Sequence, residues 1–112
     1  MDLKEAKLIS SIHRIFNYDE RLNYFFFHHM KAELRLGAEE MLEEARSLSR
    51  GEYLLIQAAL DFWNGEGKMS LSSALNDLDD ENLLALIRGI MYLREIDVEY
   101  LSVEEYEYVE AD

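Results

Sequence analysis

The sequence predicts an all-α fold: a small single-domain bundle of five or six helices with an acidic C-terminal tail. Three observations lead there. None of the 112 residues is proline, so nothing in the chain forces a helix to break. Apolar residues recur at three- and four-residue spacings in several segments. Short polar residues stand ahead of those segments, with Glu three positions later in the pattern of a capping box. A length of 112 residues suits one domain, and 49% hydrophobic residues suffice for one core.

The first helix is expected from Asp2 to about Phe16. Asp2 and Glu5 have capping-box spacing, and Leu8, Ile9, Ile12, Ile15 and Phe16 share a face. Asn17 and Glu20 then open a second helix, about Tyr18 to Leu36, which stops at Gly37 as a left-handed cap. Its middle carries Tyr24, Phe25, Phe26 and Phe27 in a row. Four adjacent aromatics point all round a helix, which places this helix centrally or at an interface. A strand over Tyr24–Met30 is the competing reading, because aromatics favour strands; flanks rich in Glu, Arg, Leu and Ala favour the helix.

Ala38 to Leu48 reads as a short acidic helix with Met41, Leu42 and Ala45 inward. Ser49 and Glu52 give a third capping box ahead of the most apolar helix, Tyr53 to Trp63, and Asn64-Gly65-Glu66-Gly67 ends it. A short helix begins near Ser70 within Met69–Asp77. Asp79 or Asp80 caps the last strong helix, about Glu81 to Glu95, with Leu83, Leu84, Ile87, Ile90 and Met91 as its core stripe. Gly89 weakens that helix, and a close helix–helix contact is one reason to keep it. The expected core is Ile12, Phe16, Ile56, Leu60, Trp63, Leu83, Ile87 and Ile90.

Residues 1–95 thus form the helical domain and 96–112 the tail. The tail holds seven acidic residues and no basic one, or −7 of the net charge of −13. Ser102 and Glu105 suit a short helix there; Val98, Tyr100, Tyr106 and Tyr108, at even spacings, suit a strand.

From Leu48-Ser49 through Ala59 and Trp63-Asn64-Gly65 to Leu78-Asp79-Asp80-Glu81-Asn82, the chain resembles an uncharacterised family of small proteins from Gram-positive bacteria and their phages. The resemblance spans residues 48–94, and its motifs are structural punctuation. It implies a small intracellular or phage-borne accessory protein and carries no site residue.

Composition and motifs exclude several functions. A charge of −13 repels phosphate backbones, so direct nucleic-acid binding is not expected. No apolar run approaches 18 residues, so no membrane span is expected. The opening MDLKEAKLISSIHRIF is amphipathic and unlike a signal peptide, and there is no cysteine; a cytoplasmic protein is expected. His29 and Glu33 are four apart and would share a helical face, but zinc needs three or four ligands, and Asp19 and Glu20 add oxygens only if the fold brings them near. Asp77-x-Asp79-x-Glu81 begins like a calcium loop, yet Asn82 and Arg88 stand where glycine and glutamate are needed. No G-x-S-x-G occurs, and Gly65-Glu66-Gly67 lacks the ending of a phosphate loop. Glu39-Glu40 and Glu43-Glu44 read as a solvated face, and Lys4, Lys7 and Arg14 lie where they could hold the chain's own tail.

No catalytic, cofactor-binding or metal-binding residue is therefore expected. The expected function is that of a small acidic, non-enzymatic interaction protein. It would modulate a protein partner with a basic surface, as a phage-type inhibitor does, through Tyr100, Glu104, Glu105, Tyr106, Glu107, Tyr108 and Glu110. The alternative is a homo-oligomeric structural or accessory domain assembled through Tyr24, Phe25, Phe26 and Phe27. A metal-dependent enzyme using His28, His29 and acidic neighbours ranks third.

Overall fold

A computed structural model describes residues 2–96. Six helices follow one another: α1 (Leu3–Ile15), α2 (Glu20–Phe26), α3 (Ala38–Ala45), α4 (Arg50–Asn64), α5 (Leu71–Asp77) and α6 (Asp80–Arg94). The described residues contain no strand, only an isolated antiparallel bridge between Phe27 and Leu34. The all-α expectation holds. The tail, expected as a short helix or strand, lies outside the described residues from position 97 onward.

The caps explain most helix starts. Asp2 accepts a hydrogen bond from Glu5 N at 2.7 Å, Ser70 from Ser73 N at 2.9 Å and Asp79 from Asn82 N at 2.8 Å. Ser49 and Glu52 form a complete capping box. Burial pushes the Glu52 carboxyl up, but the amide and hydroxyl of Ser49 and the Arg21 guanidinium outweigh it and hold it below the usual range. Gly65, at φ +77°, ends α4 in the left-handed conformation that glycine adopts freely.

The second helix departs from expectation at both ends. Its cap is Asp19, which accepts from the amides of Arg21 and Leu22; Asn17 and Tyr18 precede it at φ +52° and +59°. It ends at Phe26 instead of Leu36, because Phe27 turns extended and the chain doubles back. His28 N donates to Glu33 O and Arg35 N to Phe26 O across the resulting turn. A continuous helix would spread the aromatics around its whole circumference. The break drives Phe26 into the core while Leu34 and Leu36 return to pack against it; packing overrides local propensity here. Gly37 consequently caps the start of α3 at φ −62° instead of closing α2.

Helix α4 is the hub, with Leu54, Leu55, Ile56, Ala58, Ala59 and Leu60 all buried. Asp61 holds the turn that follows: its carboxylate accepts from the amides of Gly67, Lys68 and Met69 at 2.8–3.0 Å. The turn lies so close to α4 that a Cβ on Gly67 would sit 1.8 Å from the carbonyl oxygen of Gln57.

Ile12, Phe16, Ile56 and Leu60 are buried as expected, but Trp63, Leu83 and Ile87 are half-buried and Ile90 is 42% exposed. Of the stripe expected on α6 only Met91 is fully buried; the rest of the buried face is Ala85, Leu86 and Gly89, on a helix that packs against α1. A Cβ at Gly89 would lie 2.6 Å from Ile15 Cγ1 and 3.1 Å from Ser11 O. Small residues let the two backbones approach, and the bulkier Leu84 and Ile90 turn outward.

Gly89→Ala gains helix propensity of about 1 kcal/mol but overpacks the α1 contact by ~1–3 kcal/mol, so a net loss of about 1 kcal/mol is expected in urea unfolding. Gly67→Ala meets backbone instead of side chain and should cost about 3 kcal/mol or more; an order reversed between the two would contradict both contacts. Trp63→Ala should cost about 2 kcal/mol, below the range for a fully buried ring, since Trp63 is half-buried in a T-shaped contact with Phe27.

Candidate functional site

The break in α2 creates a cleft that gathers aromatic and imidazole rings. It has a volume of about 400 Å³ and lies between α1, α2 and the turn after Phe27. All three histidines border it. The α2–turn junction brings His28 and His29 to a wall already occupied by His13 of α1.

Phe27 forms the apolar side. The His13 ring stacks on it at 5.5 Å between centroids, and Trp63 meets it edge-on at 6.0 Å. His28 and His29 stack on each other at 5.0 Å, with planes 9° apart. His28 Nδ1 accepts from Met30 N at 3.0 Å, so this nitrogen is engaged in shaping the turn. Asn23 adds an amide whose Oδ1 is buried without a hydrogen-bond partner among the described residues.

Burial pushes the His13 imidazole below its ordinary range. Asn23 beside it pulls the other way, and the Arg14 guanidinium lowers it further. His13 therefore takes up a proton less readily than an unburied imidazole.

His29 and Glu33 do not share a helical face, because the chain between them is a turn. Parallel stacked imidazoles cannot both direct a nitrogen at one ion. No group of three His, Asp or Glu with metal-holding geometry occurs among the described residues. What the cleft offers instead is an aromatic floor, imidazole edges and one unsatisfied amide oxygen, the composition of a binding pocket. His13 and Asn23 were not singled out by the sequence. Their juxtaposition with His28 depends on how α2 packs on α1, which no local spacing encodes.

The partner-binding residues expected in the tail, Tyr100, Glu104, Glu105, Tyr106, Glu107, Tyr108 and Glu110, lie outside the described residues. The aromatic block does not form one face. Tyr24 is exposed, Phe25 is half-buried under the Arg35 guanidinium, Phe26 is in the core and Phe27 lines the cleft. Within the described body, α3 presents Glu39, Glu40, Glu43 and Glu44 outward. Arg46 pairs with Glu43 at 3.6 Å and Arg35 with Glu44 at 3.4 Å. Glu39 and Glu40 have no basic partner among the described residues.

The depressed His13 has a consequence for stability. The unfolded chain takes up a proton on this ring near pH 6.5, and the folded chain does so at a lower pH. Stability from the neutral ring is complete above the unfolded value and is lost as pH falls through the folded one. The loss in urea midpoint between about pH 7.5 and 5.5 should therefore be smaller for His13→Phe than for the parent chain. Parallel losses would mean the ring titrates alike in both states. Comparison with known proteins found no matching family model, curated protein or solved structure.

Proposed function

We propose that this chain is a small, non-enzymatic interaction protein that presents a negatively charged surface to a basic protein partner and modulates that partner, in the manner of a phage-type inhibitor. The supporting observation is the layout of charge. Six of the eleven basic residues are tied to carboxylates of the folded body: Lys7, Arg21, Lys31, Arg35, Arg46 and Arg50. The acidic surplus is thus left on outer faces, above all on α3, and in residues 97–112, whose sequence contains no base. Carboxylates displayed this way attract a basic patch over about 8 Å at physiological salt and speed association more than they deepen affinity. In this reading Glu104, Glu105, Glu107 and Glu110 supply charge, and Tyr100, Tyr106 and Tyr108 supply stacking area.

A second reading, a homo-oligomeric accessory domain, draws support from α6, where Leu84 and Ile90 are 45% and 42% exposed. Light scattering across a concentration series separates the two: a mass that stays monomeric removes the oligomer.

The main reading is tested by affinity capture from the native host, followed by binding kinetics with the recovered partner. Association should slow steeply with salt. The triple change Glu104→Gln, Glu105→Gln and Glu107→Gln should slow it at low salt by about tenfold or more while leaving thermal unfolding unchanged, because exposed carboxylates contribute little stability. A partner that binds the neutralised tail and a neutralised α3 face (Glu39→Gln with Glu40→Gln) as fast as the parent chain would overturn it.

A further inference from the structure

We propose that the cleft lined by Arg14 and Arg88, between α1 and α6, binds the phosphate group of a small phosphomonoester. The cleft has a volume of about 290 Å³, and among the described residues its lining contains two guanidiniums and no carboxylate. In a chain of net charge −13 that is an exception to the field over the rest of the surface. The acidic-surface reading does not account for it, and the proposal stands independently of that reading.

Arg21, Arg35, Arg46 and Arg50 each meet a carboxylate, whereas Arg14, Arg88 and Arg94 pair with none among the described residues, and of these three Arg14 and Arg88 line one cleft. Arg14 is instead fixed by uncharged groups. Its Cζ lies 3.7 Å from the centroid of the Tyr92 ring, and its Nη1 donates to Ser10 O at 3.1 Å. A guanidinium positioned by a ring and a carbonyl has no charge compensating it among the described residues and still has N–H groups to donate. Arg88 stands one helical turn before Tyr92 on α6 and brings the second fork.

The opposite wall is held in an unusual backbone conformation. Asn17 and Tyr18 are consecutive residues at φ +52° and +59°, a region that side chains other than glycine's seldom occupy. This turn carries both residues to the cleft, where Tyr18 is 60% exposed. Local strain of this kind concentrates at ligand sites. One Nδ2 hydrogen of Asn17 goes to Glu81 Oε1 at 3.2 Å, which places one carboxylate near the rim.

These features select the ligand class. Two forks suit an oxyanion of nearly two charges, and a phosphomonoester carries about −1.5 to −2 at neutral pH. The surrounding acidic surface penalises any further charge beyond the cleft, which disfavours polyanions. Tyr18 and Ile96 offer apolar area for an organic body. A compact aryl or alkyl phosphate meets all three conditions.

The test is an amide NMR titration of the full chain with phenyl phosphate, run beside phenol and beside sodium chloride at matched ionic strength. Saturable shifts are expected at Arg14, Asn17, Tyr18, Arg88 and Tyr92 with phenyl phosphate alone. Arg88→Gln alters an exposed side chain and should weaken binding about tenfold. Arg14→Lys keeps the charge but loses the planar fork and the ring contact, and should also weaken it. Glu81→Gln should tighten it by removing the negative charge at the rim. Shifts that fail to saturate, that phenol or salt reproduces, or that survive Arg88→Gln at unchanged affinity would overturn the proposal.

Discussion

Helix α4 has no exposed residue between Gly51 and Trp63. A helix enclosed on all sides cannot stand at the rim of a bundle, and most of the fold follows from covering it. Helices α1, α2, α3, α5 and α6 all contact it. Its termini are closed by different chemistry. Ser49 and Glu52 satisfy the first amides, while Gly65 and the Asp61 carboxylate bind the chain as it turns away. Gly67 must lie against the α4 backbone for that clamp to close, so the position of α5 rests on one missing Cβ and one carboxylate.

A second glycine sets the other half of the architecture. Because α6 approaches α1 at Gly89, the paired backbones take up the space that bulky side chains would fill. Buried Ser11 belongs to the same contact, with its hydroxyl returned to Lys7 O so that no polar group is left unpaired. This close pairing brings Arg14 onto Tyr92 and Lys7 to Glu95. The arginine cleft is therefore a product of the glycine contact: a wider spacing would separate Arg14 from the ring that orients it.

The caps were legible because they are local. Asp2, Ser49, Ser70 and Asp79 each act within three residues of chain, and each starts a helix where the sequence placed one. Two features were not legible, for related reasons. The apolar stripe of α6 has correct helical spacing, but hydrophobicity weights Leu84 and Ile90 above Ala85 and Gly89, and the closest contact runs through the small residues. The end of α2 at Phe26 is decided by where the aromatic rings find partners. Phe26 meets Phe16 and Phe27 meets His13, Phe26 and Trp63, all but one of them contacts with distant parts of the chain. Of the candidate cleft, the sequence offered His28 and His29 as a pair on a helix; the turn that replaces the helix is what gives them His13 as a neighbour.

Charge is distributed by the same packing. Six basic side chains of the helical body are paired with nearby carboxylates, and exposed pairs of this kind contribute at most about 1 kcal/mol each. Their larger effect is on the field. Each pair cancels one charge of each sign locally and leaves the acidic surplus on carboxylates that have no such partner, as on α3. Selection for stability alone would favour balancing that surplus, because like charges repel in the compact state. Pairing six of its eleven cations while leaving the α3 carboxylates outward is the charge layout on which the proposed encounter with a basic surface rests. Two clefts beside α1 offer chemistry of another kind: one through imidazoles and a buried amide, the other through two guanidiniums left without a carboxylate among the described residues.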